Sequence, residues 1–339
     1  NQNRSFLRAQ NCGLEIEGEN NRIVKVRGDK SNAKSEGYIC RKGLNVAYHQ
    51  HNADRLKYPL KKVGDKFERI SWDQAIDEIA TKLKGIIDEY GPRSFAYMGG
   101  GGQGCHFEAA FGVRLMRSLG SQYQYSALAQ EFSGAFWVCG RTHGKQYLHD
   151  QPDVDNTDVL LIFGWNGMQS HQIPQAPRKL QRLSKDKDKM LIVVDPRKTE
   201  TAKLANVHLP IRPGTDALLL KAMISLILKE GWENKAYLAE HTSGFDSVKS
   251  CFENFDARAA VKTCSLDFEQ VREVTRLYAT RKSSLRYDLG LFMGRHSGLN
   301  SYLIVILQAI CGRLCSPGGN VINGHLMPIG PHTDERDPK

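Results

Sequence analysis

The sequence predicts an α/β protein with doubly wound, mostly parallel sheets, helices on both faces and a small β-rich subdomain at the N-terminus. Val159–Phe163 and Met190–Val194 are short apolar runs rich in β-branched residues, which is typical of strands buried on both faces. Gln175–Leu183, between them, is rich in Lys, Arg and Leu and predicts a helix. A strand, a helix and a strand over this length form a βαβ unit with parallel strands. The alternating residues of 14–26 predict an N-terminal hairpin.

Each strand of the βαβ unit ends in a polar loop. Gly164-Trp165-Asn166, with Ser170 and His171, follows the first strand, and Asp195-Pro196-Arg197-Lys198-Thr199 follows the second. Open parallel sheets bind ligands beyond the carboxyl ends of their strands. We therefore expect the two loops to form one wall of a ligand site, where Asp195 binds ribose hydroxyls or a purine edge. The alternative is that Asp195 and Arg197 only cap the next helix.

Composition limits the class of protein. The chain has 339 residues, enough for two or three domains, and is 40% hydrophobic and 25% charged. Its net charge of +10 suggests an anionic partner. Nucleic acid is one candidate, although the basic residues are scattered and no recognition motif stands out, and a phosphate-rich cofactor would also account for part of the charge. No apolar run approaches the roughly 20 residues of a membrane helix. The eight Cys lie far apart, which favours a reducing compartment or metal use over a secreted disulfide scaffold.

The N-terminal half contains a hairpin, a capped helix and a glycine-rich loop. Cys12 and Cys40 flank the hairpin; they could ligate a metal or cluster, or remain unligated. Ser71-Trp72-Asp73-Gln74 is a capping box that starts an amphipathic scaffold helix, which Gly91-Pro92 ends. Gly99–Gly104 formally contains G-x-G-x-x-G between a strand and a helix, but no acid follows about 20 residues on. The alternatives are an NAD site, a loop lining another cofactor, or a tight turn.

The rest of the chain adds one carboxylate and one anion pocket. Glu131 stands alone in an apolar, Gly-containing stretch, as a candidate site acid or metal ligand, or as a solvated helix-start acid. Val207–Ile211 predicts a strand, and Arg212 to Asp216 leads into a helix whose N-terminus, with Arg212, would bind an anion. Helical hairpins over 232–281, a last strand over 285–291 and an apolar helix over 300–314 complete the expected order.

Seven strings in series resemble the molybdopterin (molybdenum or tungsten) oxidoreductases, the family of formate dehydrogenase, periplasmic nitrate reductase, dimethyl sulfoxide reductase and acetylene hydratase. They occur in family order and cover nearly the whole chain. The matching strings are Asn11-Cys12-Gly13-Leu14, Gly37-x-x-Cys40-x-Lys42-Gly43, Arg55-Leu56-Lys57-Tyr58-Pro59-Leu60, Ile70-Ser71-Trp72-Asp73-Gln74-Ala75, Gly164-x-Asn166 with Ser170-His171, Val194-Asp195-Pro196-Arg197-x-Thr199 and Leu209-Pro210-x-Arg212-Pro213-Gly214-Thr215-Asp216.

The resemblance implies a metal, Mo or W, held by the dithiolenes of two pterin–guanine dinucleotides (bis-molybdopterin guanine dinucleotide, MGD). It implies that Lys42 bridges a 4Fe-4S cluster and a pterin. It places ten residues around one dinucleotide: Gly164, Asn166, Ser170, His171, Asp195, Arg197, Thr199, Arg212, Gly214 and Asp216.

The chain departs from the family at the cluster. The family motif is C-x2-C-x3-C-x27-C or close to it, and Cys12 and Cys40 match its last two places. Ser5 and Arg8 stand at the first two places, so two of the four expected thiols are present. Either the cluster is lost or the N-terminal segment is not the native one.

The resemblance also indicates where the metal would be bound. Counting back from Thr142-His143-Gly144 without gaps places the metal-ligand position on Glu131, and this run most resembles acetylene hydratase. Phe132 follows where formate dehydrogenases have His, and the arginine that they have after Gly318-Gly319 is missing, with His325 nearby. Formate oxidation is therefore disfavoured. His143 and His296 are candidate proton carriers.

The expected domains are an iron–sulfur-type subdomain over 1–58, an incomplete α/β domain over 59–125 plus 300–339, and a Rossmann-like MGD-binding domain over 126–299. The expected function is that of an oxidoreductase or hydratase-like relative taking part in electron transfer; the alternative is a non-catalytic homologue serving as a structural subunit. Because relatives continue well beyond this length, we expect a fragment, a split subunit or a reduced relative. Electron-transfer subunits or a second chain with the C-terminal domain would be its partners, besides a small-molecule substrate.

Overall fold

The computed structural model describes residues 2–4, 12–99, 106–146, 148, 150–170 and 172–322. The chain folds into two compact units, Asn1–Ala129 and Gln130–Lys339, here called the first and second units. In the described ranges, no helix is both long and apolar enough to cross a membrane.

The first unit begins with an antiparallel sheet in the order β1-β2-β3. Its strands are β1 (Gln2–Arg4), β2 (Gly13–Glu19) and β3 (Arg22–Gly28). Asn20 and Asn21 form the turn with φ of 48° and 60°, a left-handed conformation that Asn tolerates better than most residues. The predicted hairpin is therefore present, and two short helices follow it, α1 (Arg41–Leu44) and α2 (Val46–His51).

The remainder of the first unit is a hairpin and a two-stranded parallel pair with helices. The elements are β4 (Leu60–Val63), β5 (Lys66–Arg69), α3 (Trp72–Tyr90), a 3₁₀ turn (Pro92–Ser94), β6 (Ala96–Gly99), α4 (His106–Ser118), β7 (Tyr123–Ser126) and α5 (Leu128–Glu131), the last of which crosses the boundary between units. Ser71 caps α3 as predicted, because the Gln74 N–H donates to Ser71 Oγ at 3.1 Å. The Gln74 side chain donates to Glu78 Oε1 at 3.0 Å, so the contacts show the serine half of the predicted capping box. Apart from Gly99, which ends β6, the predicted Gly-rich loop lies outside the described residues.

The second unit is built on a four-stranded parallel sheet in the order β11-β10-β9-β12. These strands are β9 (Val159–Phe163), β10 (Met190–Val194), β11 (Val207–Leu209) and β12 (Ser283–Tyr287), and β8 (Asp150–Pro152) pairs separately with β13 (Asn320–Ile322). The helices are α6 (Ser133–Thr142), α7 (Gly167–Ser170), α8 (Ala176–Lys185), α9 (Asp216–Glu230), α10 (Lys235–His241), α11 (Phe245–Glu253), α12 (Ala257–Thr263), α13 (Phe268–Thr280), α14 (Leu289–Phe292) and α15 (Ser297–Ile310). The predicted strands 159–163 and 190–194 are confirmed.

Hydrophobic clusters cover both faces of this sheet. On one face, Leu161 and Ile192 pack in a cluster with α9, α12, α13 and α15. On the other face, Leu160 and Leu191 pack with Leu180 of α8. Full burial of each such aliphatic side chain contributes roughly 1.5–3 kcal/mol relative to exposure. The doubly wound α/β class is therefore confirmed.

Two predicted elements differ in their extent or placement. The last strand was expected over 285–291, but β12 ends at Tyr287 and the chain turns into α14, because the Gly290 N–H donates to the Gly164 carbonyl at 3.1 Å. Residues 300–339 were expected to group with 59–125. The helix α15 instead buries Leu303 and Leu307 in the core of the second unit, since its apolar side chains pack against α9.

The two units differ in how much apolar surface they bury. Among the described residues of the first unit, the buried apolar side chains are Leu14, Cys40, Ala75 and Met116. The second unit has the two extended clusters on its sheet. The hydrophobic core of the described chain therefore lies mostly in the second unit.

Candidate functional site

The loops after the four parallel strands lie at one edge of the sheet. Gly164 follows β9, Asp195 follows β10, Arg212 follows β11 after two residues, and Asp288 follows β12. The strand ladder continues one residue beyond the strands, because the Gly164 N–H donates to Val194 O at 3.1 Å and the Asp195 N–H donates to Leu209 O at 3.2 Å. The loops that sequence patterns singled out therefore start from adjacent strand ends.

Gly164 allows two of these loops to cross backbone to backbone. Its φ is +56°, and a Cβ at this position would lie 2.7 Å from the Cα of Gly290. Side-chain-bearing residues disfavour this conformation, and the neighbouring backbone leaves no space for one. Glycine is therefore required here for the loops after β9 and β12 to approach each other.

Asn166 joins the loops after β9 and β10. Its Nδ2 donates to Glu200 Oε2 at 2.6 Å, and its Oδ1 accepts a hydrogen bond from Thr201 Oγ1 at 2.8 Å. Thr201 Oγ1 in turn accepts the Met168 N–H at 3.1 Å. Sequence reasoning gave Asn166 a cofactor contact and missed Glu200 and Thr201. Since both ends of the amide are used within the protein, the role that the contacts support is to hold the two loops together.

The loop after β10 presents a carboxylate and a guanidinium. Asp195 Oδ1 accepts the Arg197 N–H at 2.9 Å, which closes a turn rather than capping a helix, since no helix lies between β10 and β11. The side chain of Arg197 is exposed, whereas Thr199 is buried and its Oγ1 accepts the Ala202 N–H at 3.1 Å. Arg197 can thus contact a ligand, while Thr199 shapes the loop from within.

The segment from Arg212 to Asp216 supplies the second set of charges. Arg212 is exposed. Gly214 has φ of +79° and borders open space, since a Cβ added there would have no atom within 4 Å. Asp216 is the first residue of α9 and therefore lies at the positive end of the helix dipole. Burial raises the pKa of Asp216, and the charge of Asp195 raises it further, so the two carboxylates lie close enough to interact.

These groups form a definite donor and acceptor set. Two carboxylates, Asp195 and Asp216, accept hydrogen bonds from hydroxyl or amino groups. Two exposed guanidiniums, Arg197 and Arg212, can bind phosphate oxygens with paired N–H groups. Ser170 is also exposed and donates from Oγ to the Asn166 carbonyl at 3.1 Å, while His171 lies outside the described residues.

Glu131 lies near the carboxyl end of β12. It is half-buried at the end of α5, and its negative charge is among the causes that raise the pKa of Asp288, after the larger effect of burial. The N-termini of α6 and α15 meet nearby, since a Cβ on Gly134 would lie 3.1 Å from Ser297 Oγ. His296, which is exposed, directly precedes Ser297. Glu131 and His296 therefore belong to neighbouring segments.

His143 follows the other end of α6. Its Nδ1 lies 2.7 Å from Thr142 Oγ1. Burial lowers the pKa of His143, and the negative charge of Asp150 opposes this effect. The neutral imidazole is therefore favoured near neutral pH and can accept a proton.

A buried polar group in β12 and directly after it was missed by sequence reasoning. Arg286 is 6% exposed, and its guanidinium donates from Nη1 to Gln151 Oε1 at 3.0 Å and from Nη2 to Gln172. Its Cζ lies 5.1 Å from the centre of the Trp165 ring. Asp288 is 4% exposed. The sequence did contain a signal for this group, since Arg286 and Asp288 are charged residues within the range predicted as the last strand.

The first unit contains the predicted cysteines and lysine. Cys40 is buried at the position before α1, Cys12 is half-buried before β2, and Lys42 is exposed on α1. Within the described ranges, no group of three or more His, Cys, Asp or Glu side chains is placed to hold a metal ion.

Comparison with known proteins identifies the family. The family model for Molybdopterin oxidoreductase matches residues 55–321, and that for the Molybdopterin oxidoreductase Fe4S4 domain matches residues 9–52. Acetylene hydratase of Syntrophotalea acetylenica is 32% identical over 304 residues, which cover 87% of this chain and 40% of that protein. The F420-dependent formate dehydrogenase subunit alpha of Methanocaldococcus jannaschii is 28% identical over 320 residues, or 91% of this chain and 45% of that protein.

The fold agrees with a solved structure. Acetylene hydratase from Pelobacter acetylenicus superposes with a TM-score of 0.78 at 28% sequence identity, covering 95% of this chain and 44% of that one. The chain thus spans less than half the length of the relatives that it matches. With a family model that covers most of its residues, the chain belongs to the molybdopterin oxidoreductases.

Proposed function

We propose that this chain forms the dinucleotide-binding and metal-site portion of a molybdenum or tungsten enzyme that uses bis-MGD, an oxidoreductase or a hydratase-like relative. The observation that supports this most directly is the set of charges at the sheet edge. Arg197 and Arg212 would bind the diphosphate of one dinucleotide. Asp195 and Asp216 would accept hydrogen bonds from the guanine edge or the ribose hydroxyls, and Gly214 leaves open space beside them.

Glu131 is the proposed protein ligand of the metal. Its carboxylate can supply an oxygen donor, and it is half-buried near the end of β12. The bound metal centre would supply electron transfer or Lewis-acid chemistry. His143, neutral because burial lowers its pKa, would accept a proton, and His296 would be a second proton carrier near the start of α15.

The iron–sulfur part of the proposal rests on the first unit. The match to the Fe4S4 domain includes Cys12 and Cys40. Lys42 would be part of the electron-transfer path between a cluster and the pterin. A 4Fe-4S cluster needs four ligands, and Ser5 and Arg8 replace two thiols. This replacement favours the second candidate function, a structural subunit of an electron-transfer complex that has lost the cluster.

A protein partner is proposed for the apolar face of α3. Trp72, Ile76, Ile79 and Tyr90 recur at helical spacing and are each more than half exposed. The relatives are more than twice as long as their matched part, which leaves a large protein portion to cover such a face. We propose that a polypeptide equivalent to the remaining part of the relatives binds here. Slower hydrogen exchange of α3 on co-expression with that portion would support this, and unchanged exchange would contradict it.

Metal and nucleotide analysis tests the enzyme against the structural subunit. The protein purified from its native host should contain Mo or W near one atom per chain and should release GMP on acid hydrolysis. Absence of both metal and GMP would refute the enzyme and support the structural subunit. Iron and labile sulfide would report the cluster independently.

A matched pair of variants tests Glu131. Glu131→Gln removes the anionic oxygen donor while keeping the side-chain length, so turnover and bound metal should both fall. Glu253→Gln, at an exposed residue paired with Lys249, is the control and should change neither. Unchanged metal content in Glu131→Gln would exclude Glu131 as a ligand.

A further inference from the structure

Gln172 occupies an unusual position in the loop after β9. Its φ is +48°, a left-handed conformation that non-glycine residues seldom adopt, and its N–H donates to the Ser170 carbonyl at 3.0 Å. It follows closely on Gly164 and Ser170, two of the residues that the family resemblance places around the dinucleotide. Strained non-glycine residues persist where the surrounding contacts hold them in place.

One contact that holds Gln172 comes from Arg286 on β12. The guanidinium is 6% exposed and donates to the side-chain carbonyls of Gln172 and Gln151. The negative charge of Asp288 favours the charged guanidinium, but the Nε atom of Arg286 is buried without a hydrogen-bond partner. A cation this deeply buried needs polar partners, so the amide of Gln172 is an important acceptor.

The other contact comes from Asp288, one residue after the end of β12. Asp288 is 4% exposed and accepts a hydrogen bond from the Gln172 side chain. The amide of Gln172 thus accepts from Arg286 and donates to Asp288. Both charged residues belong to β12 and the residues after it, whereas the amide belongs to the loop after β9. The amide therefore fastens that loop to the neighbouring strand.

We propose that Gln172 is a positioning residue, which holds the described residues 165–170 of the loop after β9 in the conformation that binds the guanine dinucleotide. The inference rests on the proposed function, since it concerns the same site. It adds a residue that touches no ligand itself and acts through two buried charges. Without the amide, Arg286 and Asp288 would lose their shared partner, and the left-handed residue would lose the contacts that maintain it.

Two leucine variants separate positioning from general stability. Gln172→Leu and Gln151→Leu each remove one amide acceptor from Arg286, but Gln151 lies on β8. Guanosine diphosphate (GDP) is the probe, with its affinity for the full chain measured by calorimetry. Gln172→Leu should weaken GDP binding roughly tenfold or more, the scale seen for residues that orient a site's direct ligands. Gln151→Leu should leave it within about twofold, although both variants lower thermal stability.

A double variant tests the hydrogen-bond geometry itself. In Gln172→Glu with Asp288→Asn, the new carboxylate accepts from Arg286 as the amide oxygen did. The new amide at position 288 donates to that carboxylate, so the bond between positions 172 and 288 is restored with its direction reversed. GDP affinity should return to within about threefold of the wild type. Failure of this variant to recover, with the fold intact by circular dichroism, would contradict the proposed bridge.

Hydrogen exchange distinguishes failure of this inference from failure of the proposed function. A wild-type chain that does not bind GDP would refute the guanine site and with it the role of Gln172 there. GDP binding that is equal in the wild type and in Gln172→Leu, or lost equally in both leucine variants, would refute the positioning role alone. If the role holds, backbone amides of 165–170 exchange faster in Gln172→Leu than in Gln151→Leu.

Discussion

Replacing Gly164 with alanine tests the loop crossing at the sheet edge. An L-residue with φ near +56° costs roughly 1–2 kcal/mol. The new Cβ would also lie 2.7 Å from backbone atoms of Gly290 and Leu291, and this overlap adds about 1–3 kcal/mol because backbone must move. We therefore expect Gly164→Ala to reduce the free energy of opening of the second unit by about 2–5 kcal/mol.

Native-state hydrogen exchange of strand β9 measures this change locally. At about 1.4 kcal/mol for each factor of ten, the β9 amides should exchange about 30-fold to several thousand-fold faster than in the wild type. A local measurement is needed because the chain has two units, which can unfold separately.

The matched control is Gly231→Ala at the end of α9. Gly231 has φ of +70°, but a Cβ there would have no atom within 4 Å. Gly231→Ala therefore measures the free-energy cost of the left-handed backbone conformation without any steric overlap. Its expected cost is about 1–2 kcal/mol. If Gly164→Ala destabilised the fold no more than Gly231→Ala, the proposed close crossing of the loops would be refuted.

Three further changes test the electrostatics of the second unit. Asp216→Asn should increase the free energy of unfolding at neutral pH, because burial raises the pKa of Asp216 and makes its ionised form unfavourable in the folded state. Measured by urea denaturation, this increase should vanish as the pH falls below the unfolded pKa of about 3.8, and an increase that is independent of pH would contradict the explanation. His143 has a lowered pKa in the folded state, so between that pKa and about 6.5 the unfolded state binds more protons and the free energy of unfolding rises with pH. His143→Gln should make this rise less steep, and an unchanged dependence of stability on pH would contradict the role of His143. Tyr287→Phe removes the buried hydrogen bond from the phenol to Asp150 and should cost about 1–2 kcal/mol in the free energy of unfolding, whereas a neutral result would show that the bond contributes little.

The buried strands were the most predictable part of the fold. The apolar runs of β9 and β10 leave no alternative to burial on both faces, and their predicted bounds match the structure. The capped start of α3 at Ser71 was equally clear, because the serine hydroxyl accepts the free backbone N–H of the residue three positions on. Such elements are determined by residues near them in sequence.

Partners between distant segments could not be predicted. Asn166 binds Glu200 and Thr201 across more than thirty residues, and no periodicity signals that pairing. The end of β12 was also misplaced, because the turn at Asp288 depends on the crossing with Gly164 rather than on the apolar residues of 285–291. Parallel strand ends could be assigned to one edge from topology, whereas the side-chain hydrogen bonds there depend on three-dimensional packing.

The unequal burial of the two units affects how the chain would have to mature. The second unit has a core on both faces of its sheet and can reach its native packing from its own residues. The first unit leaves the apolar residues of α3 exposed to water, so a newly synthesised chain would carry an aggregation-prone surface on this helix. If the proposed partner binds α3, early binding of that partner or of a chaperone would protect this surface from aggregation during biogenesis.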